Sequence, residues 1–359
     1  MKSHLQATAS TVLVDAGRVA RAIAGIQKAH GEIPSFDGGT TDPWDHVESA
    51  MGLTIAGFID EARRAFRWMA SIQMEDGSWF SSYKNGDPNE NRKDPNMSSY
   101  LAVGLFHHLL ITRDTSFVQR MWPVVEKAID FVVSMQGSDG QVFWAKFPDG
   151  TIEERALLTG SSSMYLSIRC ALAIAVRLGK SKPRWEFAVR KLGEAIRNHQ
   201  DLFDQSKARY SMDWYYPILS GAVTGGRAKE RIAESWDTFV VEHWGVKCVS
   251  DRPWVTMAET SELILALTAM GMHAEAERLL RWIAGCRYQS GLYWTGVTFP
   301  DSVIWPEERT TWTGASVLLA ADGIYRWTEG SAVFSHEFWA GERPATRAAS
   351  AKRERRGAA

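Results

Sequence analysis

DEARRAFRWMASIQMEDGSWFSSYKNGDPNENRKDPNMSSYLAVGLF, residues 60–106, contains one complete copy of the unit from which this chain is built. Its first part has apolar residues three and four positions apart and charged residues on the opposite face, which is typical of a surface helix. A long loop rich in Gly, Asp and aromatic residues follows. The last part, SSYLAVGLF (98–106), is small and apolar on nearly every face, so this helix must be buried. The stretch predicts an outer helix, a long loop and an inner helix.

The same order of elements recurs along most of the chain. The long loops occupy 31–48, 73–96, 136–160, 200–217, 242–259 and 286–309. Strand-like patterns are confined to short loop segments such as QVFWAKF. Six buried and six amphipathic helices in alternation predict an all-α fold, an (α/α)6 barrel or toroid of six helix pairs.

The repeats also define the domain. Residues 1–335 are expected to form a single toroid, which would be the catalytic domain. Residues 336–359 leave the pattern and end in small and basic residues, which predicts a flexible basic C-terminal tail. Since each long loop leads from an outer helix into an inner one, the long loops and the inner-helix N-termini should gather at one end. Function is expected at that end.

Composition narrows the class of partner. The chain has 359 residues, of which 41 are Lys or Arg and 42 are Asp or Glu, so its net charge favours neither nucleic acid nor an anionic membrane. It lacks an apolar run long enough to span a bilayer and an apolar leader with a cleavage site, which predicts a cytoplasmic protein. The histidines and the three cysteines lack ligand spacing, so neither a metal nor another cofactor is expected. The oligomeric state stays open.

Carboxylates and aromatic residues are interleaved in the long loops. Carboxylates accept hydroxyl hydrogen bonds and flat aromatic faces stack on the C–H face of a sugar ring, so the pattern predicts an oligo- or polysaccharide substrate. The expected substrate-binding residues are Asp42, Trp44, Glu48, Trp79, Tyr83, Trp144, Asp213, Trp214, Tyr215, Trp254, Glu259, Trp294, Glu307 and Trp312.

The segment TDPWDHVESAMGL (41–53) provides the first candidate catalytic residue, Asp45. Asp42 is expected as the N-cap and Pro43 in the first turn, which places Asp45 and Glu48 on one face near the positive helix end. The field of that end should keep Asp45 ionised, as a catalytic base requires. In the alternative interpretation these carboxylates only cap and solvate the helix start.

WVTMAETSELILAL (254–267) provides the second candidate, Glu262. This glutamate faces the apolar part of an inner helix, and partial burial should raise its pKa toward that of a general acid. The alternative is a capping-box glutamate that follows Thr256 or Ser261. Asp213 or the Glu307–Glu308 pair could replace Asp45 as the base.

QMEDGSW (73–79) resembles the Q-x-x-x-G-x-W repeat of the squalene cyclase and prenyltransferase toroids, and QGSDGQV (136–142) is a degraded copy. In those families the motif ties an outer helix to the following loop. The acid cluster DxDD and the magnesium-diphosphate motif DDxxD of those enzymes are absent from the sequence. An isoprenoid enzyme is therefore an alternative function.

DPWDHVE (42–48), DGSWF (76–80), MDWYYP (212–217), WVTMAETSE (254–262) and ERTTWTG (308–314) together resemble a family of actinobacterial toroid glycoside hydrolases, the methylmannose polysaccharide hydrolase type. The resemblance covers roughly residues 10–335. It implies an endomannosidase that cuts internal α-(1→4) bonds of a cytosolic methylated mannan, by inversion through a water held between two carboxyl groups. A non-catalytic carbohydrate-binding toroid is a further alternative.

Overall fold

The computed structural model describes residues 13–341. Within them, outer and inner helices alternate along the chain. The outer helices are α1 (Ala16–Ile26), α3 (Ile59–Ser71), α6 (Thr115–Ser134), α8 (Pro183–Asn198), α10 (Gly225–Phe239) and α12 (His273–Ile283). The inner helices are α2 (Pro43–Ile55), α4 (Pro95–Ser99) with its continuation α5 (Leu101–Thr112), α7 (Leu158–Arg177), α9 (Ser211–Leu219), α11 (Met257–Ala269) and α13 (Thr311–Tyr325).

The inner helices form a closed ring. Along the chain each packs against the next, from α2 through α5, α7, α9 and α11 to α13, and α13 packs back against α2. Nearly every residue of α11 is buried, whereas α3 buries only one stripe that includes Phe66 and Trp68. A helix that is buried all round must lie inside, and a helix with a single apolar stripe lies on the outside. The barrel of six helix pairs is therefore present.

The loops at one end carry more regular structure than the sequence predicts. One four-stranded antiparallel sheet contains β1 (Phe80–Lys84), β2 (Asp87–Lys93), β3 (Phe143–Lys146) and β4 (Ile152–Ala156). The other contains β5 (Val240–Val241), β6 (Gly245–Lys247), β7 (Trp254–Thr256) and β8 (Gly296–Thr298). The strands are short, and the pairings of β1 with β2 and of β3 with β4 are irregular in register, so an alternating pattern is weak. The fold is mainly helical, and the strictly all-α expectation is wrong.

Gln73 and Gly77 form a joint between neighbouring outer helices. Gln73 Nε2 donates to the carbonyl of Gly77 at 3.0 Å and to that of Val124, on the next outer helix, at 2.9 Å. Gly77 has a φ of +90°, and a Cβ there would lie 2.2 Å from the carbonyl oxygen of Lys127. Only glycine satisfies both conditions. The motif therefore ties α3 to its own loop, as the sequence predicts, and also to α6.

Two other joints have the same geometry. In both, a glutamine Nε2 donates to the glycine four residues on and to a carbonyl of the next outer helix: Gln136 to Gly140 and Ala188, and Gln27 to Gly31 and Glu61. The copy at Gln27 is harder to recognise in the sequence because it lacks both the aspartate before the glycine and the tryptophan after it. The three joints link neighbouring outer helices.

The end of the described chain folds onto the barrel. His336–Gly341 form the short helix α14, and Trp339 is 9% exposed, with its Nε1 donating to the carbonyl of Val333 at 2.7 Å. The first six residues of the predicted tail are therefore part of the packed structure. The remainder of that segment, 342–359, lies outside the described residues. No helix of the part of the chain that the structure describes is long and apolar enough to cross a membrane.

Candidate active site

Polar side chains from neighbouring inner helices meet near the N-terminal ends of those helices. Tyr100 Oη, at the start of α5, donates to Glu48 Oε1 of α2 at 3.0 Å. Tyr215 Oη of α9 donates to Glu262 Oε2 of α11 at 2.5 Å. The long loops lie at the same end, since β4 runs into α7 and β7 runs directly into α11. This is the end at which the sequence predicts function.

The start of α2 has the predicted capping geometry. Asp42 is the N-cap, its Oδ1 accepting the Asp45 N–H at 2.9 Å, and Pro43 occupies the first turn. The carboxyl groups of Asp42 and Asp45 also interact with each other, and burial raises the pKa of both.

The protonation of Asp45 differs from the sequence-based expectation. Burial raises the pKa of Asp45 well above its usual value, and the negative charges of Asp42, Glu48 and Glu262 raise it further. A helix N-terminus contributes about 0.3–1 kcal/mol, less than one unit of pKa. Burial and like charge therefore outweigh the helix field. Burial raises the pKa of Asp42 as well, but the Asp45 carboxyl and the N–H groups of the helix start act to lower it, so protonation is favoured at Asp45 more than at Asp42.

Glu262 lies one turn into α11 and is 3% exposed. Burial raises its pKa well above the usual value, the charges of Glu48 and Glu259 raise it further, and the hydrogen bond from Tyr215 lowers it. The raised pKa agrees with the sequence-based reasoning. A raised pKa favours the protonated form, which is the form that a group needs in order to donate to a leaving oxygen.

Glu48 has one oxygen bound and one free. Tyr100 holds Oε1, while Oε2 is buried without a hydrogen-bond partner among residues 13–341. Burial raises the Glu48 pKa to about 7, and the hydrogen bond from Tyr100 acts in the opposite direction. A buried polar atom without a partner costs free energy unless a ligand or water satisfies it. Oε2 of Glu48 can therefore accept a hydroxyl group of a sugar.

Aromatic rings surround these carboxyl groups. Trp44 is half-buried, with its ring centre 5.1 Å from that of Tyr100 and 5.5 Å from that of Tyr216. Sequence reasoning did not identify Tyr100 as a site residue. Tyr100 stands in an apolar inner-helix segment, and its partner Glu48 is 52 residues away, so only the three-dimensional structure relates them.

Asp213 joins α7 to α9. It is 6% exposed, and its Oδ1 accepts hydrogen bonds from Thr159 N at 3.1 Å and from Thr159 Oγ1 at 2.5 Å. Burial raises its pKa, and the bonds from Thr159 act in the opposite direction. The next residue, Trp214, is 4% exposed and stacks on Phe239 of α10 at 5.3 Å. Asp213 therefore faces the helix starts, whereas the Trp214 ring packs between an inner and an outer helix.

Glu259 and Trp254 are held by their neighbours. Thr256 Oγ1 donates to Glu259 Oε2, and Glu259 is 8% exposed. Trp254 Nε1 donates to the carbonyl of Trp305 at 2.7 Å, and the two indole rings meet edge to face at 5.2 Å. The structure thus places Glu259 one turn before Glu262 on α11 and Trp254 on the adjoining sheet.

The remaining predicted residues divide into buried and accessible ones. Trp79 is 0% exposed, with its Nε1 bound to the carbonyl of Met69 at 2.9 Å, and Tyr83 is 2% exposed, so both rings pack the fold. Trp144 lies between the guanidinium groups of Arg92, at 4.5 Å, and Arg155, at 5.2 Å. Trp294 and Trp312 are half-buried, and Glu307 is exposed.

The arrangement offers several buried carboxyl groups with raised pKa values beside aromatic rings. Carboxyl groups whose pKa values are shifted in this way are typical of general acid and general base catalysis. Within residues 13–341, no group of three or more His, Cys, Asp or Glu side chains is arranged to hold a metal ion.

Comparison with known proteins identifies the class of reaction. No protein-family model matches the chain. The chain is 50% identical over 317 residues to the MMP endo-(1,4)-3-O-methyl-alpha-D-mannosidase of Mycolicibacterium hassiacum, which covers 88% of each protein. The chain belongs to this endomannosidase family. A shorter match, 30% identical over 84 residues, is to an uncharacterized glycosyl hydrolase of Methanocaldococcus jannaschii and covers 23% of this chain and 14% of that one.

Solved structures of similar fold are also glycosidases. A wild-type glycosidase matches with a TM-score of 0.67 and 14% identity, covering 87% of this chain and 97% of that one. A GH63 mannosylglycerate hydrolase from Thermus thermophilus, in complex with Tris and D-glycerate, matches with a TM-score of 0.66 and 12% identity, covering 85% and 99%. At these identities the likeness concerns the fold. Membership of the endomannosidase family shows that this protein is a glycosidase rather than an isoprenoid enzyme or a non-catalytic binding protein.

Proposed function

We propose that this endomannosidase cuts internal α-(1→4) bonds in a mannan that carries 3-O-methyl groups. The observation that carries the proposal is the 50% identity, over 88% of both chains, to a relative whose name states endo action on 3-O-methyl-mannosides. A polysaccharide substrate also suits the convergence of carboxyl groups and aromatic rings at the inner-helix starts. The cytoplasmic location predicted from the sequence stays a prediction.

In this proposal Glu262 is the general acid. Burial raises its pKa and so favours the protonated form, which can donate its proton to the oxygen of the departing sugar. The hydrogen bond from Tyr215 Oη fixes the orientation of the carboxyl group, since it occupies Oε2. Oε1 is then the atom that donates to the leaving oxygen.

The base function is assigned to Asp45. In its ionised form it accepts the proton of an attacking water, and the neighbouring charge of Asp42 raises its pKa and therefore its strength as a base. Asp45 lies on the same helix face as Glu48, and its pKa responds to the charge of Glu262, which indicates that the two catalytic carboxyl groups face a common space. Attack by water with assistance from a carboxylate inverts the anomeric centre.

Glu48 is assigned to substrate binding, because its Oε2 lacks a partner in residues 13–341 and is adjacent to the ring of Trp44. A sugar hydroxyl that donates to Oε2 would satisfy the buried oxygen, while the face of Trp44 packs against the C–H side of the same ring.

The proposal is tested with a panel of defined oligosaccharides. The purified enzyme is incubated with α-(1→4)-mannan oligosaccharides carrying 3-O-methyl groups, with their unmethylated counterparts and with α-(1→4)-glucan oligosaccharides, and the products are sized. We expect cleavage of the methylated mannan into fragments of intermediate length. Release of single sugars from one end, or faster cleavage of the glucan, would overturn the proposal. Proton NMR of the first products reports the anomeric configuration.

A further inference from the structure

A cavity of about 590 Å³ lies at the opposite end of the barrel, away from the inner-helix starts. Its walls come from α7, the end of α8, the turn after α9 with the start of α10, the end of α11, and α14. The lining includes the basic side chains of Arg169, Arg197 and Lys229 and the imidazole of His336, whereas Glu337 is its one acidic residue among the described ones. The sequence gives no sign of this site because its residues come from five separate segments.

Arg169 is the centre of this cavity. Its guanidinium lies over the ring of Trp339 at 4.3 Å and over that of Tyr165 at 5.4 Å, and the side chain is half-buried. Across residues 13–341 no carboxylate lies within ion-pair distance of it and no oxygen accepts a hydrogen bond from it. Burial lowers the pKa of Arg169, and Arg197 lowers it further. A half-buried guanidinium is thus held between aromatic rings without a hydrogen-bond or ion-pair partner among the residues that the structure describes.

Arg197 adds a second positive charge. It donates one bond to the carbonyl of Ala222 at 3.1 Å, and its nearest carboxylate, Glu194, lies 3.9 Å away at the solvent side. Two guanidinium groups close to each other repel, and partial burial strengthens that repulsion. The arrangement costs free energy in the absence of an anion, and an anion placed between the two groups would remove the cost.

The backbone is shaped to admit Arg169. Gly221, in the turn between α9 and α10, has a φ of +72°, and a Cβ there would lie 3.0 Å from Arg169 Nη1. A larger residue would be strained at this φ and would press on the guanidinium. The position of the guanidinium is therefore fixed by the turn on one side and by the two aromatic rings on the other.

We propose that this cavity binds a small oxyanion, a carboxylate or a phosphate, between Arg169 and Arg197. The planar guanidinium presents paired N–H donors that match the two oxygens of a carboxylate or a phosphate. Lys229 lies at the exposed margin and supplies a further positive charge. The site is separate from the carboxyl groups at the other end of the barrel, and it is independent of the proposed function.

The test uses isothermal titration calorimetry to measure the binding of inorganic phosphate and, separately, of acetate to the full-length protein. Sodium chloride keeps the ionic strength constant, because a change in ionic strength would by itself alter the attraction between the guanidinium groups and any anion. The two anions distinguish a phosphate site from a carboxylate site. We expect saturable binding of at least one of them with one anion per chain.

Three variants identify the site. Arg169→Gln and Arg197→Gln should weaken anion binding at least tenfold. Arg169→Lys keeps the positive charge and loses the paired N–H donors of the guanidinium, so it should have an intermediate affinity. Arg190→Gln is the matched control, since Arg190 is an exposed arginine on the same helix as Arg197, and it should bind like the unmodified protein. Absence of saturable binding for both anions, or unchanged affinity in Arg169→Gln, would overturn the proposal. If Arg169→Gln does not fold, the Arg197→Gln and Arg190→Gln pair decides.

Discussion

Tyr215 Oη lies 2.5 Å from Glu262 Oε2 and ties the inner helix α9 to α11. The hydroxyl stabilises the ionised form of the glutamate, so it lowers a pKa that burial raises. Tyr215→Phe should therefore raise the Glu262 pKa. A general acid is active while protonated, so the alkaline limb of kcat/KM against pH should move to higher pH. The pH profile of the variant measures this.

The control for that profile is Tyr210→Phe, because Tyr210 is an exposed residue just before α9. It should leave both limbs in place. An alkaline limb that stays fixed in Tyr215→Phe, or moves to lower pH, would show that Glu262 is not the acid.

Asp42 has two separable roles, as a helix cap and as a charge beside Asp45. Asp42→Asn keeps the cap and removes the charge, so it should lower the Asp45 pKa. A base works while ionised, so activity falls as pH drops through its pKa, and the acid limb of kcat/KM should shift to lower pH. The measurement is the pH profile, with protein stability followed in parallel.

Asp42→Ala removes both roles. Loss of the cap should lower the free energy of unfolding by about 1 kcal/mol, whereas Asp42→Asn should change it by only a few tenths. Equal destabilisation in the two variants would contradict the capping role of Asp42, which rests on its bond to the Asp45 N–H.

Glu48 is expected to reduce stability at neutral pH. Its folded pKa of about 7 is above the ordinary value of 4.5, so folding favours the neutral form. Its contribution to stability is therefore most favourable below about pH 4.5 and is lost as pH rises through 7. Glu48→Gln should raise the free energy of unfolding at pH 8 by about 1–3 kcal/mol, and by much less at pH 5. Denaturant unfolding at the two pH values measures this, and an equal gain at both would contradict the raised pKa.

Gly77 tests the joint between outer helices. Gly77→Ala places a methyl group 2.2 Å from the backbone carbonyl oxygen of Lys127, so the two backbone segments would have to move apart. We expect destabilisation of about 3 kcal/mol or more, from the strain of a positive φ together with overpacking. Gly86→Ala is the matched control, because Gly86 has a φ of +86° with nothing within 4 Å of the added Cβ. It should cost about 1–2 kcal/mol. Similar unfolding midpoints for the two variants would contradict the close approach of the backbones.

The sequence is informative about the barrel because the barrel is built from local patterns. The helix periodicity at 60–73 and the apolar segment at 98–106 correspond to α3 and to the inner pair α4 and α5. The loop sheets were missed because strands such as β2, with residues DPNENRK, are polar and mostly exposed, without an apolar alternation.

The site was harder to predict because it depends on contacts between helices. The cap at Asp42 is a local feature and follows from spacing, whereas the Asp45 pKa depends on Glu262 from another helix. Aromatic residues in the loops do not reveal which way they point, and the buried Trp79 and Trp214 show that loop position alone does not make a residue part of a sugar site.

The central claim is that Glu262 protonates the leaving oxygen, and one comparison tests it most directly. Rates of Glu262→Gln and of the unmodified enzyme are measured on 3-O-methylated α-(1→4)-mannan and on an aryl α-mannobioside whose dinitrophenolate departs without a proton. Glu277→Gln, on the exposed face of α12, serves as the control and should keep full activity on both. We predict a loss of about 10²–10⁴-fold on the mannan and about tenfold or less on the aryl substrate. An equal loss on both substrates, or no loss on the mannan, would contradict the account.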